Sequence, residues 1–210
     1  MIQNFILQLI ILAPPILLAL TVHEFAHGYI AYRFGDPTAR DQGRLTLNPL
    51  KHLDPLGTLA FFIIKIGWAK PVPVNPNYFK NPRKDMLWVA LAGPAVNFAL
   101  AVSSAIGVKI VWFIATNIPY SPMAKAILLP LNEVLMASVW INLVLCIFNF
   151  LPIPPLDGSK ILAGLLPPDM ARSYASIERY GFVIIMLLAF TGILSKMIMP
   201  VISFARDILL

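Results

Sequence analysis

The hydrophobic residues of this chain fall into long, nearly uninterrupted stretches. Four of them reach the roughly 20 residues that a helix needs to cross a bilayer, and they cover residues 5–34, 86–114, 127–151 and 177–197. Pro14 and Pro15 lie inside the first stretch and are expected to kink its helix. The tail over 198–210 is too short to cross again, so we expect it to lie at the membrane interface or to extend the last helix beyond Pro200. The pattern predicts an all-α polytopic membrane protein in which residues 1–210 form one membrane-embedded domain.

The loop between the first two stretches contains a shorter apolar run. Residues 59–66 read LAFFIIKI, and a proline-rich sequence follows at 71–76. A run of this length is too short to cross a bilayer as a helix. We therefore predict a re-entrant or β-like element within the 56–76 loop, with a plain membrane-surface loop as the alternative.

The composition agrees with a membrane environment. Of the 210 residues, 59% are hydrophobic and 12% are charged, about half of the roughly 25% charged residues of soluble domains. The net charge of +6 does not indicate a nucleic-acid partner, because the basic residues do not line one helix face. The single cysteine, Cys146, lies in an apolar stretch and can form no disulfide within the chain. The first stretch lacks a basic n-region, so a cleaved signal peptide is not expected.

The basic residues predict an orientation in the cell membrane. Nine Lys and Arg residues lie between positions 33 and 84, and three more lie between 159 and 179. Loops rich in Lys and Arg stay in the cytoplasm. The loops over 35–85 and 152–176 are therefore expected on the cytoplasmic side, with the N-terminus outside.

Residues 23–27 read His-Glu-Phe-Ala-His, inside the first predicted membrane helix. Helix positions four apart share a face, so the imidazoles of His23 and His27 can ligate one Zn²⁺. Glu24 is placed to act as general base toward a zinc-bound water. Ionisable groups inside a membrane helix cost free energy and are typical of functional sites. An interhelical hydrogen-bonded cluster is the structural alternative.

A hydrolytic zinc site uses three protein ligands plus water. The candidates for the third ligand are His52, Asp54, Glu133 and Asp157. Glu133 lies toward the opposite side of the membrane, and His52 and Asp54 lie in a polar loop where capping roles are common. Asp157 follows three prolines at the end of a membrane helix, where irregular backbone is tolerated only if it is buried or lines a wet cavity. We favour Asp157, with N-capping of the next segment as the alternative.

These motifs, in this order, resemble those of the site-2 protease family of intramembrane zinc metalloproteases. HEFAH at 23–27 resembles the first family motif, and NFLP at 149–152 followed by PLDG at 155–158 resembles the second. The segments 48–58, 67–75 and 92–97 are similar to those of the compact prokaryotic branch. The sequence shows no inserted PDZ-like or CBS-like domain.

The resemblance implies one Zn²⁺ per chain, held by His23, His27 and Asp157, with Glu24 as the catalytic base. It also implies that Asn149 binds the substrate carbonyl or the oxyanion, whereas the sequence alone equally allows an interhelical hydrogen bond. The implied enzyme is a zinc metalloendopeptidase that cuts transmembrane protein substrates within or near the cytoplasmic side of the bilayer. Membrane lipid is its other expected partner, and the sequence does not indicate an oligomeric state.

Two other functions use the same residues. An inactive membrane scaffold would have no use for Glu24, and a zinc transporter would need polar residues across the whole bilayer rather than at one depth. His52 either contacts the region of the zinc site or packs locally within its loop.

Overall fold

The structure is a computed structural model that describes residues 2–64, 67–119 and 121–210. The helices are α1 (Ile2–Arg33), α2 (Thr38–Asp41), α3 (Pro55–Ile64), α4 (Pro82–Asn117), α5 (Pro122–Asn149), α6 (Asp157–Leu165), α7 (Pro168–Ala175), α8 (Glu178–Phe190) and α9 (Ile193–Leu209). Over these described ranges there is no strand, only one antiparallel bridge between Leu53 and Ala69. The expected all-α architecture is confirmed.

Three helices are long and apolar enough to cross a membrane: α1, α4 and α5. Helices α7 and α8 together also pass that test but meet at a bend of 63°, so they add a fourth span only if the bent pair is counted as one. Large apolar side chains such as Trp112, Phe113 and Phe182 point outward and are exposed. Such a surface requires lipid as its solvent, and the expected polytopic membrane protein is confirmed.

The long helices form the interior of the bundle. Helix α1 packs against α4 and α5, α4 packs along α5, α6 packs on α4 and α9 packs on α5. Small residues let helix backbones approach closely in a membrane, and two alanines serve this purpose in the buried cluster Ala101, Ala105, Val139, Leu143 and Ile202.

The β-like interpretation of residues 59–66 is wrong for 59–64, which are helical in α3. The remaining two residues, 65 and 66, lie outside the described part of the chain. The physical reason lies upstream, where Asp54 precedes Pro55. The Asp54 carboxylate accepts a hydrogen bond from the backbone N–H of Gly57 at 2.8 Å, and proline suits the first helical position. This capping signal starts a helix that the short apolar run did not reveal.

The last hydrophobic stretch, expected as one segment over 177–197, is divided between two helices. Helix α8 ends at Phe190, and Gly192 adopts a left-handed backbone with φ of +72° before α9 begins. Glycine tolerates that conformation and commonly ends helices. Helix α9 continues through Pro200 to Leu209, and Ile202 is fully buried against α5. Of the two expectations for the tail, the helical extension is the one observed.

Hydrogen bonds of polar groups connect the loop over 35–85 to the end of α1. The fully buried Asp36 accepts hydrogen bonds from the backbone N–H groups of Thr38, at 2.9 Å, and Asn75, at 2.6 Å. The backbone N–H of Lys70 donates to the carbonyl of His52 at 2.8 Å, and Arg44 donates to the carbonyl of Lys70 at 2.7 Å. These bonds fix the extended segment 69–75 beside α1.

Candidate metal centre

Helices α1 and α4 run in opposite directions and meet through residues spaced four apart. His23 and His27 lie one turn apart on the face of α1 that contacts α4. Opposite them on α4 lie Val89, Gly93 and Asn97, also at intervals of four. Residues at this spacing share one face of a helix. The two faces therefore place the imidazole rings directly against α4.

The structure brings His23, His27 and Asp157 together. The two Nε2 atoms lie 3.0 Å apart, and Asp157 Oδ2 lies 3.1 Å from His23 Nε2 and 3.2 Å from His27 Nε2. All three side chains are buried. Among the described residues, no other group of three or more His, Cys, Asp or Glu side chains is arranged to hold a metal ion.

Asp157 reaches this position because the chain turns sharply after α5. It is the first residue of α6, and the following Gly158 packs against the loop so closely that an added Cβ would lie 2.2 Å from the carbonyl oxygen of Phe150. Only glycine fits such an approach. Asp157 Oδ2 is buried and accepts no hydrogen bond from the described residues, so the alternative capping role finds no support in its contacts.

Helices α7 and α8 contact the proline-rich loop that precedes Asp157. The Tyr174 hydroxyl donates to the carbonyl of Pro152 at 2.7 Å. On α8, a Cβ added to Gly181 would lie 1.9 Å from the carbonyl oxygen of Pro154. These contacts hold the proline-rich turn from outside, a role that the sequence did not indicate for either residue.

The atoms that converge are electron-pair donors, which fits a cation. His27 Nδ1 lies 2.7 Å from the carbonyl oxygen of Val89, and a carbonyl can only accept, so in the neutral imidazole the proton is on Nδ1 and the lone pair is on Nε2. Two imidazole nitrogens and one carboxylate oxygen match the ligand chemistry of Zn²⁺.

Gly93 makes room for the two rings. A Cβ added at this position would lie 2.5 Å from His27 Nε2 and 2.6 Å from His23 Nε2. From sequence, Gly93 beside Asn97 indicates close helix packing with an interhelical hydrogen bond, and not a contact with the two histidines. Val89, Gly93 and Asn97 are spaced four residues apart, as are the two histidines. This shared spacing is the sequence signal that could have indicated that Gly93 faces the two rings.

Glu24 lies next to His23 and contacts the extended segment 69–75. Its Oε2 accepts a hydrogen bond from the backbone N–H of Val72 at 2.8 Å. Val72 is flanked by Pro71 and Pro73, which have no N–H, so it supplies the single amide donor of that tripeptide. One carboxylate oxygen of Glu24 is therefore fixed, and the other remains available.

Asn149 is the last residue of α5, and its amide Nδ2 donates to the carbonyl of Leu145 within the same helix at 3.0 Å. The expected contact with a substrate carbonyl or oxyanion stays a prediction. The interhelical hydrogen bond that the sequence also allowed is not the one observed.

The other third-ligand candidates lie apart from the cluster. His52 is buried, and its Nε2 bonds the carbonyl of Thr46 at 2.8 Å, which agrees with local packing in the loop. Asp54 caps α3. Glu133 lies in α5 and is exposed.

Comparison with known proteins identifies the family. The family model described as peptidase family M50 matches residues 113–191. A protein of Bacillus subtilis, provisionally named zinc metalloprotease YwhC, is 40% identical over 195 residues, which are 93% of this chain and 87% of the relative. The chain belongs to peptidase family M50, the site-2 proteases.

Two further relatives in this family are the provisionally named zinc metalloproteases Rip2 of Mycolicibacterium smegmatis and Mycobacterium tuberculosis. They are 31% and 32% identical, over 86% and 82% of this chain. The matched regions span 66% and 63% of those longer relatives. No solved structure matches the chain.

Membership of the site-2 protease family confirms the expected enzyme class, a zinc metalloendopeptidase, and the expected Zn²⁺ cofactor. It also confirms the multi-pass membrane location, together with the long apolar helices. The substrates, the orientation in the membrane and the roles of single residues stay predictions.

Proposed function

We propose that this site-2 protease hydrolyses peptide bonds of transmembrane proteins within or near the cytoplasmic side of the bilayer. In this proposal His23, His27 and Asp157 hold one Zn²⁺. The observation that carries it is the convergence of their three ligand atoms, all within 4.8 Å of one another, in the interior of an apolar helix bundle.

The charge of the loop after α1 and the depth of the histidines along α1 support the proposed cytoplasmic side of the site. The nine basic residues between 33 and 84 favour a cytoplasmic loop after α1. If Arg33 marks the interface, His27 lies about 9 Å and His23 about 15 Å below it at 1.5 Å per residue. A peptide bond cut there lies in the cytoplasmic half of the bilayer, which favours membrane-spanning substrates.

When bound, Zn²⁺ supplies Lewis acidity to the scissile carbonyl and to the attacking water. Glu24 takes the proton of that water through the carboxylate oxygen that Val72 leaves free. It then passes the proton to the leaving amine as the carbon–nitrogen bond breaks. The Val72 N–H keeps the carboxylate in place while it exchanges the proton.

Asn149 is proposed to stabilise the oxyanion. Its Nδ2 carries two protons, of which one is bonded to the carbonyl of Leu145. The second proton is the donor that the developing negative charge would use.

The experiment is Glu24→Gln in full-length protein reconstituted into vesicles with a single-span membrane substrate. We expect unchanged zinc content and loss of cleavage by a factor of at least about 100, because general-base catalysis contributes on that order. The matched control is Glu178→Gln, since Glu178 is exposed at the start of α8. Cleavage by Glu24→Gln at the wild-type rate would refute the base assignment, and zinc flux without any cleavage by the wild type would favour a transporter.

A further inference from the structure

A chain of buried hydrogen bonds leads away from the metal centre into the bundle. His23 Nδ1 lies 2.5 Å from Asn97 Oδ1, and Asn97 Nδ2 donates to Asn142 Oδ1 at 2.9 Å. Asn142 Nδ2 in turn donates to the carbonyl of Ser138 at 2.9 Å. The chain joins α1, α4 and α5, and the hydrolytic steps use neither asparagine.

Both asparagines are completely buried, with exposed fractions of 0%. A buried amide that lost its partners would cost about 1–3 kcal/mol, so the interior of a membrane bundle is an expensive place for two of them. The cost is avoided because every polar atom of the two side-chain amides has a hydrogen-bond partner. These bonds connect the pair to His23.

The orientation of each amide is determined by backbone carbonyls, which can only accept hydrogen bonds. Asn97 Nδ2 faces the carbonyl of Ala19 at 3.2 Å, so the Asn97 nitrogen is on that side and the oxygen faces His23. The carbonyl of Ser138 orients Asn142 in the same way. Neither side chain can turn over without placing two acceptors or two donors against each other.

The orientation of Asn97 determines which nitrogen of His23 carries the proton. Asn97 presents an oxygen, so His23 Nδ1 must donate to it, and the lone pair of the neutral ring lies on Nε2. That atom is the one 3.1 Å from Asp157 Oδ2. The carbonyl of Val89 likewise accepts from Nδ1 of His27 and leaves the lone pair of that ring on Nε2. Outer partners of this kind fix the tautomer and orientation of a ligand histidine.

We propose that Asn97 is a positioning residue that fixes the tautomer and the orientation of His23, and that Asn142 acts through Asn97 by holding its amide. The proposal rests on the proposed zinc-binding role of His23. It assigns to the Asn97–Asn142 pair a contribution to metal retention rather than to helix association alone.

A second buried bond provides the matched control. Ser104 on α4 and Ser138 on α5 are hydrogen-bonded at 2.8 Å between the same two helices, and among the described residues Ser104 has no hydrogen bond to His23 or Asn97. Asn142 Nδ2 donates to the Ser138 carbonyl at 2.9 Å and also to the Ser138 hydroxyl at 3.2 Å, and both acceptors stay in place when the Ser104 hydroxyl is removed. Ser104→Ala therefore removes a buried bond between α4 and α5 without touching the tautomer of His23.

The test compares Asn97→Ala, Asn142→Ala and Ser104→Ala in zinc-loaded, full-length protein in detergent. The first readout is the rate of zinc loss to a chelator. We expect Asn97→Ala to lose zinc about 10–100-fold faster than wild type, as removal of an outer partner does elsewhere. Asn142→Ala should show a smaller increase, because Ala19 still orients Asn97, and Ser104→Ala should match wild type.

The second readout is the NMR signal of the His23 Nδ1 proton in histidine-labelled protein, which has three histidines to assign. A purely structural role would leave that signal unchanged. We expect a downfield, slowly exchanging proton in wild type and Ser104→Ala, and its loss or fast exchange in Asn97→Ala.

Two results would overturn the proposal: wild-type zinc retention with an unchanged Nδ1 signal in Asn97→Ala, or zinc loss in Ser104→Ala as fast as in Asn97→Ala. The parent hypothesis is tested separately by His23→Ala. If that variant retains zinc like wild type, the ligand assignment of His23 fails, whatever the asparagine variants do.

Discussion

The carboxylate of Glu24 and the backbone N–H of Val72 are hydrogen-bonded at 2.8 Å although 48 residues separate them in sequence. This bond joins the HEFAH helix to the proline-rich segment 69–75. It gives the segment a function that its composition does not reveal, because Pro71 and Pro73 leave Val72 as the donor aimed at the proposed base.

Val72→Pro removes this donor and is expected to lower kcat for membrane-substrate cleavage about tenfold or more. A hydrogen bond to a charged group contributes about 1.5–3 kcal/mol, and about 1.4 kcal/mol corresponds to a factor of ten in rate. Zinc content should not change, because the bond that is removed goes to Glu24 and not to a proposed ligand atom.

The matched control is Val74→Pro, in the same segment, because the Val74 N–H has no hydrogen-bond partner among the described residues. It should leave kcat within about twofold of wild type, a change of under 0.5 kcal/mol in the barrier. Equal losses in both variants would show that the segment matters only as a whole, and not through its contact with Glu24.

Gly93→Ala is expected to abolish stable zinc binding. The added methyl group would lie 2.5–2.6 Å from the Nε2 atoms of His27 and His23, well inside contact distance, so the rings must move. The control is Gly107→Ala on the same helix, where the new Cβ would lie 3.2 Å from the flexible end of Leu135. Zinc measured by atomic absorption should be lost in the first variant and retained in the second; full retention in both would contradict the observed packing.

Asp54→Ala is expected to weaken the fold without affecting the metal. Removing a helix N-cap costs about 1 kcal/mol, and Asp54 caps α3 through the N–H of Gly57. Thermal unfolding should show a lower midpoint temperature than wild type, while the zinc content stays at the wild-type value. Loss of zinc at unchanged stability would instead make Asp54 a ligand.

The membrane helices and the convergence of His23, His27 and Asp157 could be predicted from sequence because each has a strong local signal. Long apolar stretches specify spans, and two histidines at i and i+4 around a glutamate specify a shared helix face. The three prolines before Asp157 exclude a continued helix, which favours this residue among the candidates for the third ligand.

The features that sequence did not reveal depend on contacts between distant segments. The cap from Asp54 outweighed the strand-like apolar run after it, and Gly192 divided the last stretch. The links from Asn97 to His23 and from Val72 to Glu24 cross 74 and 48 residues, respectively. No local sequence pattern predicts contacts between residues so far apart. The matched spacing of four on α1 and α4 is nevertheless consistent with the contact between Asn97 and His23.

The most direct measurement of the central claim is zinc stoichiometry in Asp157→Ala, purified beside wild type and Asp169→Ala. Asp169 lies on the surface of α7, with 93% of its side chain exposed and an ion pair to Arg172 at 2.9 Å, so its removal controls for the loss of a carboxylate. We predict about one zinc per chain in wild type and Asp169→Ala, and far less than one in Asp157→Ala after dialysis against a chelator, because a hydrolytic zinc site needs three protein ligands. A full equivalent of zinc in Asp157→Ala would contradict the account.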